Sequence, residues 1–385
     1  MTRLSFCSSI QPNMIPGLDG LRALAFLLVF AFHTEYIGFG WVGVQLFFVL
    51  SGFLITGILL DMKKSLPPKE YFIKFYGRRF LRIFPLYYFY LLLMSGVTTW
   101  LISISYRPAY MRIFQSQVWY AVFYVYDFFF GTIAIKYSYF LDHFWSLSIE
   151  EQFYLVWPLL ILLAPERWLK KLFLVFIVLG PISRIAFLFI HRSGVLRILG
   201  DPVSTALYPM PFSHVDAFAF GAFISRYSIP KAKQQFFLLL GILPAIGYAA
   251  QYIATGNIGD VLDFGYPLLM PEAYQFIWGY TLLGYFCMLV LYVVVHHGLF
   301  LRILESSPMR YLGKISYGLY IYHFPIIWFV TRIRDFGLSE TQAKPLVFII
   351  AFIATLAAAS ISYHFLERPL LNLKDRFFAL KPGPL

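Results

Sequence analysis

Uncharged stretches of about twenty residues alternate along this chain with short clusters of Lys and Arg. Trp41 to Leu60 holds twenty residues without a charge, enough for one helix to cross a hydrocarbon core of ~30 Å. The segment behind it, Asp61 to Arg82, carries Lys63, Lys64, Lys69, Lys74, Arg78, Arg79 and Arg82 against two acids. The positive-inside rule therefore puts it in the cytoplasm. A third span is predicted from Ile83 to about Ser103, with Pro85 in its first turn, where a missing N–H costs little. Further spans are predicted at about 149–164, 172–190, 209–225, 236–255, 274–295, 315–331 and 345–365. With a first helix inside Ile15 to Glu35, the pattern is an all-α polytopic membrane protein of ten transmembrane helices with both termini cytoplasmic.

Parity decides the one ambiguous run. Val118 to Ile135 resembles a span but contains Asp127. If it crossed, every later basic loop would be inverted. If it does not, the basic loops at 165–171, 226–233 and 296–314 and the tail from Arg368 lie inside, and the Lys/Arg-free stretch from Gly256 to Glu272 lies outside. Residues 104–148 are accordingly read as an extracytoplasmic cap with an interfacial or re-entrant helix.

Composition agrees: 60% of the 385 residues are hydrophobic and only 13% charged, about half the charged share of a soluble domain. The formal charge of +12 sits in loops between apolar runs, which is membrane anchoring rather than nucleic-acid binding. Cys7 and Cys287 are the only cysteines, so neither a disulfide framework nor a thiolate metal site is expected. The first apolar run carries Asp19 and Arg22 and ends without a small-residue cleavage site, unlike a signal peptide. The layout is a leader (1–14), a transmembrane domain (15–367) and a short tail (368–385). The shortness of that tail leaves no second domain expected.

Candidate chemistry lies where charge interrupts hydrocarbon. In IPGLDGLRALAFLLVFAFHTE, Asp19 falls near the N-cap, and Arg22 and His33 are eleven residues apart. Three turns separate them, so they share one face about 16 Å apart. Polar groups held at such depth mark functional sites, although a cytoplasmic flank for Arg22 and an interhelical hydrogen bond for His33 are the plain alternatives. Arg78, Arg79 and Arg82 open the third span, where cations oppose the helix dipole; they either anchor the loop or grip phosphate groups of a cytosolic ligand. In FWSLSIEEQFYLVWP, one of Glu150 and Glu151 can face inward and orient His33. Arg184 and Asp216 are lone charges in the fifth and sixth spans, read as a structural pair with one another or with Arg22. KISYGLYIYHFP sets Ser316, Tyr320 and His323 on one stripe running inward from the cytoplasmic end.

At these residues the chain resembles the acyltransferase-3 family of membrane acyltransferases. GLDGLRALAFLLVFAFH, GVQLFFVLSGFLITG, RRFLRIFPLYY, FWSLSIEEQFYLVWP, HVDAFAFGAF, ISYGLYIYHFP and FLERPL match in order. The resemblance implies ten helices and transfer of an acyl group, usually acetyl, from cytosolic acetyl-CoA to a hydroxyl of an extracytoplasmic polysaccharide or glycolipid such as lipopolysaccharide O-antigen, in the cell inner membrane. It makes His33 the essential histidine with Arg22 its partner, matches Arg79 and Arg82 to the family's arginine pair, and matches Glu150 and Glu151 to its acidic block. Arg22, Arg78, Arg79, Arg82, Ser316, Tyr320 and His323 would then hold the donor. The pantetheine arm is about as long as the Arg22 to His33 separation. The expected partners are membrane lipid, acyl-CoA and a glycan acceptor, with no metal and no nucleic acid. A transporter or flippase using the same buried charges is the competing class, and a polytopic scaffold gives no reason for the buried Arg and His.

Overall fold

A computed structural model describes residues 15–379; Cys7, the leader and the last six residues fall outside them. Among the described residues there is no strand, only an isolated bridge between Thr132 and Leu199. The chain folds as α1 (Leu18–His33), α2 (Val42–Ser65), α3 (Pro68–Ser103), α4 (Pro108–Val122), α5 (Tyr126–Phe130), α6 (Phe144–Leu163), α7 (Leu169–Arg192) and α8 (Val203–Leu207). It continues with α9 (Val215–Ile224), α10 (Ala232–Thr255), α11 (Gln275–His297), α12 (Leu301–Leu304) and α13 (Ser307–Lys314). The last helices are α14 (Ser316–Val330), α15 (Glu340–Ser362) and α16 (Arg368–Phe377), the latter two joined by a π turn.

This is an all-α polytopic membrane protein. Seven helices among the described residues are long and apolar enough to cross a membrane. Helices also occupy the other three predicted positions, but α1, α9 and α14 have only 16, 10 and 15 residues. These three are packed inside, as the burial of Phe26, Val29, Phe30, Ala217, Ala219, Leu319 and Ile321 shows.

Close backbone approach holds α9 in place. A Cβ at Gly52 would sit 2.0 Å from the Phe218 carbonyl oxygen, and one at Gly221 would sit 2.0 Å from that of Val49. Reciprocal glycines let the α2 and α9 backbones touch, the small-residue packing that replaces hydrophobic driving force in lipid.

Two local expectations are corrected. The third span begins at Pro68, not Ile83, with Pro68 in the first helical position. Arg78, Arg79 and Arg82 are therefore ten or more residues inside a 36-residue helix, beyond reach of its dipole, and Pro85 is interior rather than in the first turn. The charged residues of 69–78 disguised this turn as a loop, yet they keep helical spacing, with Lys74 3.6 Å from Glu70 one turn away. At the start of α1, the left-handed Gly17 (φ 84°) takes the N-cap position, and the Asp19 carboxylate pairs with Arg22 instead of capping.

Helix α4 runs back along α3. Gln115 reaches Thr99 near the end of α3, while Tyr87 and Tyr88 near its middle donate to the carbonyls of Ala121 and Val122. The end of α4 therefore lies beside the middle of α3. The chain then passes Asp142, which accepts from the Ser138 N–H at 2.9 Å and the Tyr126 hydroxyl at 3.0 Å. Burial outweighs these bonds and pushes the carboxyl up to about 7. Because the folded form holds the proton more tightly, the stabilisation is complete below the ordinary aspartate range and is lost as pH rises through about 7. The protection of amides across 138–142, taken relative to the base-catalysed intrinsic exchange rate, should therefore be weaker at pH 8 than at pH 5, and Asp142→Asn should flatten that difference. An unchanged difference in the variant would remove Asp142 as its source.

Candidate active site

Helices α1, α2, α3, α6, α14 and α16 enclose a cavity of about 410 Å³. Arg22, Arg78, Arg79, Arg82 and Lys374 line it, together with Glu150 and Glu151. Five cations against two carboxylates make it a basin for an anion of more than one charge. The arginines come from two helices: α3 begins at Pro68, ten residues before Arg78, and brings its cluster into the same cavity as Arg22 of α1. Arg78 donates to the Phe378 carbonyl at 3.0 Å, which ties α3 to the residue that follows α16. The Arg79 guanidinium lies 5.1 Å from the Tyr154 ring centroid, where cation–π attraction holds it. Arg22 keeps Asp19 as its ion partner.

The lining is also aromatic and hydroxylated, with Phe47, Phe48, Ser146, Ser316, Tyr317 and Tyr320; Tyr317 donates to the Ile83 carbonyl, next to Arg82, at 3.1 Å. The Tyr320 hydroxyl is 2.6 Å from Ser146 Oγ. Ser316 and Tyr320 thus line the same cavity as the arginines, whereas His323, read on the same stripe, does not, and neither does His33. His323 lies one ring further on, 5.4 Å from Tyr320 between centroids, and is fully buried.

His33 sits at the last position of α1 and meets His323, with His33 Nδ1 2.9 Å from His323 Nε2 and the rings stacked at 5.0 Å. The Phe324 ring packs against both, 4.4 Å from His33 and 5.6 Å from His323. This pairing corrects the expectation that a glutamate orients His33. Glu150 accepts instead from the hydroxyls of Ser51 and Tyr154 inside the cavity. Position along the bundle axis suggested the glutamates, but azimuth turns them toward the arginines.

Arg184 and Asp216 meet as an ion pair, 0% and 1% exposed, far from the arginine basin in sequence and helix. Thr281 donates to Asp216 Oδ2 at 2.6 Å, and Arg184 Nε donates to the Gly180 carbonyl at 3.1 Å. Among the described residues no group of three or more His, Cys, Asp or Glu is placed to hold a metal, and Cys287 is a buried free thiol.

Sequence reasoning missed Ser51, Tyr154, Lys374 and His143. His143 precedes α6, donates Nε2–H to the Ile321 carbonyl at 3.1 Å and packs 5.5 Å from His323. Its place one residue before the acidic block was the only available signal.

Residues 15–364 match the family described as an acyltransferase domain. Relatives include the O-acetyltransferase OatA of Staphylococcus aureus, 29% identical over 97% of this chain and 60% of the relative. The peptidoglycan O-acetyltransferase OatA of Listeria monocytogenes is 31% identical over 92% of this chain and 56% of its own length. The putative peptidoglycan O-acetyltransferase YrhL of Bacillus subtilis is 26% identical over 95% and 56%. The chain thus spans about three fifths of the length of these relatives. No solved structure matches.

Proposed function

The chain belongs to the acyltransferase-3 family, and from that premise we propose that it moves an acyl group, acetyl in the first instance, from cytosolic acyl-CoA to a hydroxyl of an extracytoplasmic glycan. The names of the relatives direct attention to peptidoglycan as the acceptor before lipopolysaccharide. In this reading the protein is a multi-pass component of the cytoplasmic membrane. It has ten crossings, both termini inside and residues 104–148 as the outer cap.

One observation carries the reading. A cation-lined cavity reaches Tyr320, and directly behind that ring is a histidine pair whose outer member, His33, keeps one nitrogen free of His323. Arg22, Arg78, Arg79 and Arg82 would hold the phosphates of the donor, and Ser316, Ser146 and Tyr320 would line the path of its arm. His33 Nε2 is the atom available for chemistry. Acting as general base, it takes the proton of the acceptor hydroxyl as the new C–O bond forms and the C–S bond breaks, then returns that proton to the departing thiolate. Acting as nucleophile, it carries the acyl group on nitrogen before the hydroxyl displaces it. Rapid quenching followed by mass spectrometry of the His33 peptide separates the two routes.

For the path to be continuous, the Tyr320 and Phe47 side chains, 6.2 Å apart between ring centroids, must swing aside when the donor arm enters. The test of the overall function is ester-linked acetate on cell-surface glycans, compared by mass spectrometry in cells with and without this chain. Equal acetate in both refutes it.

The donor assignment has its own check. Charge-assisted hydrogen bonds contribute about 1.5–3 kcal/mol each. Arg79→Ala with Arg82→Ala is therefore expected to weaken acetyl-CoA binding at least a hundredfold in calorimetry on the purified protein. Unchanged affinity would reduce the cluster to a membrane anchor.

A further inference from the structure

The hydrogen bonds around His323 leave little freedom in where protons sit. Its Nδ1 lies 2.6 Å from the Tyr320 carbonyl oxygen, which can only accept, so Nδ1 carries the hydrogen. Its other neighbours are the rings of Phe26, His143, Tyr320 and Phe324. Among the described residues no carboxylate is within ion-pair distance of either ring, so nothing balances a second proton there. A neutral ring with hydrogen on Nδ1 presents a lone pair at Nε2. That lone pair, 2.9 Å from His33 Nδ1, must accept, so His33 carries its hydrogen on Nδ1 and its own lone pair on Nε2.

We propose that His323 is the positioning residue of the reaction: anchored by the Tyr320 backbone carbonyl, it fixes His33 in the single tautomer and ring orientation that leaves Nε2 able to take a proton or an acyl group. The inference rests on the acyl-transfer reading above and assigns to His323 a role distinct from holding the donor. The arrangement does the work that a carboxylate does behind a catalytic imidazole, since the orienting group decides which nitrogen is reactive. A backbone carbonyl suits this depth because it needs no counter-charge. It also terminates the chain of hydrogen bonds. A proton gained at His33 Nε2 can be shared across the Nδ1 to Nε2 contact but cannot pass beyond Tyr320, whose carbonyl does not take it up. The proton therefore remains available for the departing thiolate.

Tyr320 then has two jobs on one residue. Its ring lines the donor cavity and its carbonyl anchors the histidine pair. The register of α14 supplies both, since a side chain three residues on turns back over the preceding turn and reaches that carbonyl.

Substitutions that differ only in hydrogen bonding test the role. Glutamine can place its side-chain oxygen where His323 Nε2 stands and accept from His33, whereas asparagine is too short and leucine has no acceptor. Each variant is purified in detergent, checked for acetyl-CoA affinity by calorimetry and, in cells, for ester-linked glycan acetate at matched membrane levels. His323→Leu and His323→Asn are expected to fall at least a hundredfold in transfer, His323→Gln to recover to within about tenfold of the parent, and all to bind acetyl-CoA within twofold of it. Full transfer by the leucine variant while His33→Ala is inactive would overturn this inference and leave the function standing. So would a glutamine variant that binds acetyl-CoA normally and transfers no better than leucine. A tenfold or greater loss of acetyl-CoA affinity in His323→Leu would return His323 to the donor site. Full transfer by His33→Ala would instead refute the reading on which the inference rests.

Discussion

His33→Ala is expected to lower acyl transfer by about a thousandfold while the protein still inserts and still binds acetyl-CoA. A positioned base or nucleophile contributes about 10²–10⁴-fold, and no other described imidazole presents itself in its place. His143 has its Nε2–H committed to the Ile321 carbonyl and its unpartnered Nδ1 sealed from any opening by burial, and His323 spends both nitrogens on Tyr320 and His33. Insertion should survive because His33 is the last residue of α1, where alanine fits the helix and the buried Phe26, Val29 and Phe30 are untouched. Donor binding should survive because His33 lies outside the cavity wall. The measurement is transfer per folded molecule, with size-exclusion behaviour and acetyl-CoA affinity as controls. Transfer within threefold of the parent would take His33 out of the mechanism.

What could be read in advance follows from which forces are local. Uncharged runs located the long helices because crossing hydrocarbon is a demand each segment meets by itself. The stripe of Ser316, Tyr320 and His323 was legible for the same reason, since helical periodicity fixes azimuth within one element. Start points were less so: Pro68, followed by lysines and a glutamate, imitates a loop until α16 is seen to pack on α3, with Arg78 reaching Phe378. The pairing of His33 with His323 spans 290 residues of sequence and depends on how α1 and α14 are rotated against one another. Nothing in either segment states that rotation. The glutamates were misassigned on this account, because depth along the axis could be read and rotation about it could not.

Breaking the Arg184–Asp216 pair from one side is expected to destabilise the fold by about 3–5 kcal/mol, because an unpaired buried charge remains. Asp216→Ala should therefore lower the unfolding temperature in detergent sharply and reduce folded protein in membranes. The site is unforgiving. The guanidinium is wholly buried, its Nη1 has no hydrogen-bond partner, and a Cβ on Gly180 would come 2.6 Å from the Asp216 carboxyl carbon. Asp216 also sits in the first turn of α9, only ten residues long, and holds it to α7 through Arg184 and to α11 through Thr281. Replacing both charges, Arg184→Met with Asp216→Leu, removes the uncompensated ion and should restore most of the lost stability, since apolar residues can substitute for a buried pair at little cost. The same double variant separates two accounts of the buried charges. If the pair is structural, the rescued protein acylates glycan at near the parental rate. If the charges form a conduction path for a transported substrate or proton, it folds and remains inactive, and the acyltransferase assignment of the bundle interior fails with it. An Asp216→Ala protein as stable as the parent would show that α9 is held by the Gly52 and Gly221 contacts alone.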